Sequence, residues 1–486
     1  MDKLKLMDSF FHPKNITLIG TSRNLMSASG MILSNIISGE YTGPLNLINK
    51  KVDKGEKILG HLVKKSIFEI DNDLDLAFVI TPSRTVPEIL EDCAKKNVNA
   101  VSIISAGFGE SILYDKEKIE LQKEIVKIAK RNKFVFVGPN CNGVYSETVS
   151  LNAIFGPRVK CLPNGHISFV TRGGTAGIHS MIETTARGIG VSKSINLGDS
   201  AFLGIHDFIE YYGKDLETEL ICIYTEGITD AQEFIKICKK VEKPIIILKI
   251  GETKEGQRAA LSHVGAIAGE ARIFNGFSKQ AGLLTVESIR EMVDLATAFL
   301  ISYIPKGKNV GIITPAGSLG VMATDACAKE GLNVPLLSSE TIYKLNSMLP
   351  EYWSHNNPID LTDSMNFNIF LKIIKIIINE SSFDGIIVLF GDISDNAGTI
   401  MDFGAHELME NQNMFLEFIK SQAKRIGKYC NRVKKPVFFL GPVQANNKIP
   451  QYFRDHSIIV LPEFRQIARI FSKLVEFNKI KLMKSK

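Results

Sequence analysis

The 486-residue sequence contains no CxxC pair; its seven cysteines, at 93, 141, 161, 222, 238, 327 and 430, are scattered and odd in number. That argues against a disulfide framework and a recognisable zinc cluster, so no metal ligand set is expected, and it predicts reduced thiols in a cytoplasmic setting. No apolar run approaches the ~20 residues that span a bilayer, and no membrane partner is expected. The opening MDKLKLMDSFFHPK interrupts its apolar residues with Asp and Lys, and it does not read as a secretory leader. Charge of one sign is scarce as well. Lys+Arg 58 against Asp+Glu 52 leaves only +6, too little for a dedicated nucleic-acid binder but compatible with a local basic pocket for phosphates. The lysines at 479, 481, 484 and 486 read as a solvated tail. Neither GxxxxGK[ST] nor GxGxxG occurs, so a P-loop and the dinucleotide fingerprint are both missing.

What is present is an ordinary globular balance, 45% hydrophobic and 23% charged, over a length that suggests about three domains. Short β-branched runs alternate with amphipathic stretches. NITLIG (15–20), LNLIN (45–49), LAFVIT (76–81), AVSIIS (100–105) and FVFVG (134–138) form a first series. HISFVT (166–171), ELICIYT (219–225) and PIIILKI (244–250) form a second. NVGIIT (309–314), GIIVLFG (385–391), PVFFLG (436–441) and SIIVL (457–461) form a third. Near-continuous apolar strands separated by helices predict doubly wound α/β domains built on parallel sheets. Boundaries are expected near 150 and near 305, giving domains 1–150, 151–305 and 306–486.

In such folds ligands sit at the carboxyl ends of the strands. The first strand runs into Gly20-Thr21-Ser22-Arg23, and the second ends Asn49-Lys50-Lys51 rather than in the acidic residue that an NAD site would place there. A cation at that edge suits a ligand with a phosphate on its sugar, coenzyme A or NADP; a merely solvated lysine pair is the other reading. Residues 171–177, Thr-Arg-Gly-Gly-Thr-Ala-Gly, join a strand to a helical pattern, where backbone N–H groups and the helix dipole favour an anion. A tight turn without a ligand would look the same. His263 lies among small residues, QRAALSHVGAIAG, with no second histidine at metal-ligand spacing. It is either a packed or solvated histidine or a nucleophile for a phosphoryl group. Glu226 ends the strand ICIYT, where a carboxylate could hold one imidazole nitrogen and leave the other to attack phosphorus.

With these residues in view, the chain resembles the α subunit of nucleoside-diphosphate-forming acyl-CoA synthetases, the ADP-forming acetyl-CoA synthetase family, and more distantly succinyl-CoA synthetase α. The likeness is carried by FFHPKNITLIGTSR at 10–23, ISAGFGE at 104–110, GPNCNGV at 138–144, YTEG at 224–227, SHVGAIAG at 262–269, GFSKQAGLLTVESIREM at 276–292 and NPIDL at 357–361. It implies that the first domain is a Rossmann-like CoA-binding domain, followed by two flavodoxin-like domains. Gly20, Thr21, Ser22, Arg23, Lys50, Pro82 and Ser83 become candidate CoA contacts, and Gly173, Gly174 and Thr175 the phosphate cradle. His263 matches the transiently phosphorylated histidine and Glu226 the glutamate that steadies it, while Cys141 reads as packing.

The implied activity is acid–CoA ligation: acyl-CoA, NDP (ADP in the family's own reaction) and phosphate are interconverted with carboxylic acid, CoA and NTP. Since no segment resembles a nucleotide-grasping domain, Mg-nucleotide (ADP/ATP) is expected to come with a separate β subunit, in an α2β2 assembly. The family's Ser-x-Ser-Gly loop is here Thr171-Arg172-Gly173-Gly174, its Ser-His-Thr-Gly is Ser262-His263-Val264-Gly265, and Phe202 stands where aspartate is common. Two other readings stay open: a divergent CoA-binding regulatory protein without turnover, and an NADP oxidoreductase.

Overall fold

A computed structural model describes residues 2–53, 55–108, 116–228, 230–256, 258, 271–362, 367–389, 412–441 and 448–484. Among these residues the strands form three sheets. The first contains β1 (Ile16–Ile19), β2 (Leu45–Ile48), β3 (Lys57–Ile58), β4 (His61–Lys64), β5 (Leu76–Val79), β6 (Ala100–Ile103) and β7 (Val135–Val137). The second contains β8 (Gly143–Ser146), β9 (Leu151–Ile154), β10 (Ile167–Thr171), β11 (Val191–Asn196), β12 (Leu220–Thr225), β13 (Ile245–Lys249) and β14 (Leu284–Val286). The third contains β15 (Val310–Thr314), β16 (Ile359–Asp360), β17 (Gly385–Val388), β18 (Val437–Leu440) and β19 (Ile458–Leu461).

The apolar runs become strands buried on both faces because helices cover each sheet. β5, β6 and β13 are buried at every position, and each fully buried aliphatic side chain contributes about 1.5–3 kcal/mol. The helix Val86–Lys95 buries Val86, Ile89, Leu90 and Cys93, the spacing of one helical face.

Strand order then fixes where a ligand can sit. In the first sheet, β4-β2-β1-β5-β6-β7 run parallel, with β3 added antiparallel at the edge. This is the Rossmann order 3-2-1-4-5-6, whose switch point lies between β1 and β5. In the second, β11-β10-β12-β13-β14 follow the flavodoxin order 2-1-3-4-5, with the antiparallel hairpin β8–β9 added beside β11. In the third, β16-β15-β17-β18-β19 repeat that order and are all parallel.

Residue 150 falls between β8 and β9, inside a hairpin that belongs to the second sheet, so the change of sheet lies between β7 and β8. The described chain divides into two compact units, Met1–Thr185 with Ile189–Met292, and Ala186–Gly188 with Val293–Lys486. The first two sheets therefore share one unit, and the division between the units falls at 292/293 within the helix Ile289–Ile301. Among the described residues no helix is long and apolar enough to cross a membrane.

Candidate functional site

At the first switch point β1 turns at Gly20, whose φ is +98°. A Cβ there would stand 2.3 Å from Ile80 O, so only glycine allows the turns after β1 and β5 to meet this closely. Gly20 N–H and Thr21 N–H both donate to Ile48 O, and Asn49 Nδ2–H returns to Thr21 O at 2.7 Å. The loop then enters the helix Ala28–Ser38, capped by Ser27 Oγ. Pro82 and Ser83 open a short 3-10 turn after β5, and Gly107 comes close to Ser83.

The expected residues thus gather at one edge, but the two cations arrive already engaged. Arg23 forms a two-pronged pair with Glu56, at 2.5 and 2.6 Å. That pair raises the guanidinium pKa and lowers that of the carboxyl. Lys50 Nζ meets Glu88 at 3.0 Å in an exposed pair. Exposed pairs of this kind contribute little to stability.

At the second switch point β10 ends in Thr171, and the helix Gly174–Ala186 begins three residues later. Asn196 Nδ2 donates to Thr171 O, Thr171 Oγ1 and Arg172 O, each at 3.1 Å. With those acceptors tied back, the turn presents donors. The helix opens with Gly177 N–H bonded to Gly173 O, which leaves the N–H groups of Gly174, Thr175 and Ala176 ahead of the ladder.

Both glycines lie tightly against neighbouring side chains. A Cβ on Gly173 would lie 2.9 Å from Tyr224 Cε1, and one on Gly174 would lie 2.4–2.5 Å from the Asn142 amide. Asn142 is held in turn by Asn196 Oδ1, which accepts its backbone N–H at 2.8 Å. Two motifs distant in sequence are laced together here. Asp199 N–H donates to Pro139 O, Ala201 N–H to Gly138 O, and Gly138 N–H to Leu197 O. A Cβ on Gly198 would collide with Pro139 O at 2.2 Å.

Glu226 follows β12, across the switch point from the loop, and is 6% exposed. Arg172 is 9% exposed and donates from Nη2 to Asp199 O at 3.4 Å. Burial lowers its pKa, against the attraction of Glu226 and then Asp199. Burial, and then Glu226, raises the Tyr224 hydroxyl pKa.

Cys141 is buried, its Sγ 3.2 Å from Ile103 O, and burial pushes its thiol up to about 11. A neutral thiol in that setting packs and does not attack. Phe202 stacks on Phe136 at 5.1 Å between ring centres, so it joins the two sheets of this unit. His263 and Val264, with the rest of 259–270, lie outside the described residues. Among the described residues no group of His, Cys, Asp and Glu is arranged to hold a metal.

Arg172, Asn142, Asn196, Asp199 and Tyr224 were not singled out from sequence. The spacing Thr-x-x-Gly-x-x-Gly also recurs at Thr314, Gly317 and Gly320 after β15. There a Cβ on Gly317 would lie 3.0 Å from Asp360 Oδ2, so that turn already faces a carboxylate.

Two domain families match the chain, "CoA binding domain" over residues 14–147 and "Succinyl-CoA ligase like flavodoxin domain" over residues 164–299. The chain is 34% identical over 390 residues to the acetate–CoA ligase [ADP-forming] II subunit alpha of Pyrococcus furiosus, covering 79% of this chain and 82% of that one. It is 33% identical to the acetate–CoA ligase [ADP-forming] I of Archaeoglobus fulgidus, covering 79% of this chain but only 54% of that one. The structure of dinucleotide forming acetyl-coenzyme A synthetase 1 from Ca. Korarchaeum cryptofilum, in complex with phosphate and ADP, superposes with a TM-score of 0.83. The two chains are 26% identical, with 99% of this chain and 98% of that one covered.

Proposed function

The chain belongs to the family of ADP-forming acetate–CoA ligases, and on that premise we propose the reaction it carries out and the residues that serve it. It is an acid–CoA ligase subunit that interconverts acyl-CoA, ADP and phosphate with carboxylic acid, CoA and ATP. The first sheet holds CoA along Gly20 to Arg23, Lys50, Pro82 and Ser83. Phosphate, held at Gly173, Gly174 and Thr175, attacks the thioester carbonyl; the carbon–sulfur bond breaks, CoA leaves and an acyl phosphate remains. His263 then takes the phosphoryl group from the acyl phosphate, releasing the carboxylate, and passes it to ADP. Glu226 keeps the imidazole in one tautomer and stabilises its positive charge. Water must be kept out meanwhile, because it would hydrolyse the acyl phosphate.

The observation that carries this reading is the pairing across one switch point. A helix N-terminus with its acceptors tied back lies across the switch point from a buried carboxylate, in the same compact unit as the CoA-binding sheet. We assign the CoA-binding domain to the first sheet, the phosphohistidine-bearing domain to the second, and a further ligase domain to the third. The nucleotide and its Mg²⁺ are brought by a β subunit, with which the chain forms an α2β2 enzyme in the cytoplasm. In support, the chain spans most of a relative named as an alpha subunit and about half of one that carries no subunit name.

The test is to incubate the chain and its partner subunit with γ-labelled ATP. An acid-labile, base-stable phosphoprotein is expected, and His263→Ala abolishes it. Label that survives in the variant would remove His263 from the mechanism. A wild-type complex that binds CoA but takes no label would favour the turnover-free CoA-binding reading.

A further inference from the structure

Arg172 sits between the end of β10 and the turn that precedes the helix Gly174–Ala186, and its guanidinium is poorly served by the described residues around it. A guanidinium carries five N–H donors in a rigid planar fork. Among the described residues the Arg172 side chain makes one long bond, from Nη2 to Asp199 O at 3.4 Å, and its buried Nε–H meets no acceptor. A cation buried with its donors unmatched costs stability unless an acceptor is supplied. The surroundings are chosen for charge as well. Glu226 attracts the guanidinium from the end of β12 and Asp199 from beyond β11.

The chemistry at this place brings further anions together. Phosphate arrives with close to two negative charges, beside two carboxylates and a turn that offers only neutral N–H groups. Position 173, moreover, has no side chain to donate a hydroxyl, because Tyr224 fills the space where a Cβ would go. Arginine is the side chain whose fork matches two phosphate oxygens at once, which lysine does not.

We propose that Arg172 is the cation of the phosphate site, binding phosphate oxygens together with the N–H groups of the turn. This rests on the reaction proposed above and adds a substrate-binding residue to it. Free phosphate and the phosphoryl group in transfer present the same oxygens to the fork, so loss of the guanidinium weakens phosphate binding selectively and leaves CoA untouched.

The experiment uses the complex of the chain with its partner subunit and compares wild type, Arg172→Gln and Arg172→Lys. Loss of a charged, bidentate contact is expected to raise KM for phosphate about ten- to a hundredfold in Arg172→Gln. The KM for acyl-CoA and the affinity for CoA stay within about twofold. Arg172→Lys lies between, since it keeps charge without the fork. An unchanged phosphate KM in Arg172→Gln, in an enzyme whose wild-type form takes label on His263, overturns the assignment of Arg172 alone. A wild-type enzyme that takes no label overturns the reaction instead. Should Arg172→Gln fail to bind CoA, the lysine variant decides: a raised phosphate KM with CoA affinity intact supports the assignment, and a wild-type value overturns it.

Discussion

The ring of Tyr224 occupies the space that a side chain at Gly173 would need, with Cε1 2.9 Å from the position of a Cβ. Gly173→Ser on its own restores a hydroxyl to the loop but drives the ring away. Overpacking of this kind costs about 1–3 kcal/mol, and the variant should melt earlier and bind phosphate more weakly. Tyr224→Ala in the same chain should recover most of that loss. A double-mutant cycle on melting temperature checks this; additive effects would mean that the two residues are not coupled.

Glu226→Gln should give a graded result. The variant keeps the shape of the side chain and one acceptor but loses the charge that stabilises an imidazolium. His263 is then phosphorylated more slowly, roughly 10- to 100-fold if a charged hydrogen bond is lost, while CoA affinity is unchanged. Single-turnover labelling measures the rate, and a wild-type rate would leave Glu226 an ordinary strand-end carboxylate.

Lys50→Glu should weaken CoA far more than dephospho-CoA, by about tenfold or more, if the lysine leaves Glu88 for the 3′-phosphate. Glu88→Gln removes the competing carboxylate and should leave CoA binding equal or slightly tighter. Calorimetric titration with both ligands separates the outcomes, and equal losses for the two would move Lys50 away from the phosphate.

Gly20→Ala should abolish CoA binding. Its φ of +98° and the 2.3 Å approach to Ile80 O leave no room for a methyl group. Strain of this class costs of order 1–3 kcal/mol before the clash is counted. Equilibrium binding of CoA is the readout, with helical circular dichroism to show that the chain still folds.

Cys141 gives a pH prediction. Its folded thiol pKa, about 11, lies above the ordinary 9.0. Burial of the neutral form therefore contributes stability that is complete below pH 9 and is lost as pH rises through about 11. Alkylation of Cys141 in the folded enzyme should be slow at pH 8 and accelerate toward pH 11, followed by mass spectrometry. Cys141→Ala should retain phosphorylation of His263; rapid labelling at pH 8 together with loss of phosphorylation would make the thiol functional.

The central parallel strands were legible because their residues are apolar on both faces, as in LAFV (76–79) and IIIL (245–248). β11 was not, and its physics explains why. The sequence Val-Ser-Lys-Ser-Ile-Asn looks like surface, yet all six residues are buried. Lys193 can lie inside because Asp215 and Glu217 both bind its ammonium group. The pair of carboxylates comes more than 20 residues later, too far for a local pattern to reveal.

The two glycines that join β10 to its helix were visible in the sequence as a turn, although a tight turn without a ligand would look the same. Asn142 and Asn196 were not, because an asparagine that bonds to backbone looks like any loop asparagine until the fold closes. Arg172 stood in plain sight within the loop, but only its burial separates it from a solvated arginine.

The Asn196 amide, which ties back the acceptors of Thr171 and Arg172, also bears on how such a site can change over generations. The main-chain donors proposed to meet phosphate beside Arg172 are oriented from outside the loop, by the amide of Asn196. Side chains within the loop other than Arg172 can therefore drift without dismantling the cradle, provided that the two crowded positions keep small residues. Selection on this enzyme would then fall on residues that never touch the substrate as firmly as on Arg172, and a hydroxyl-poor loop could persist in a working lineage.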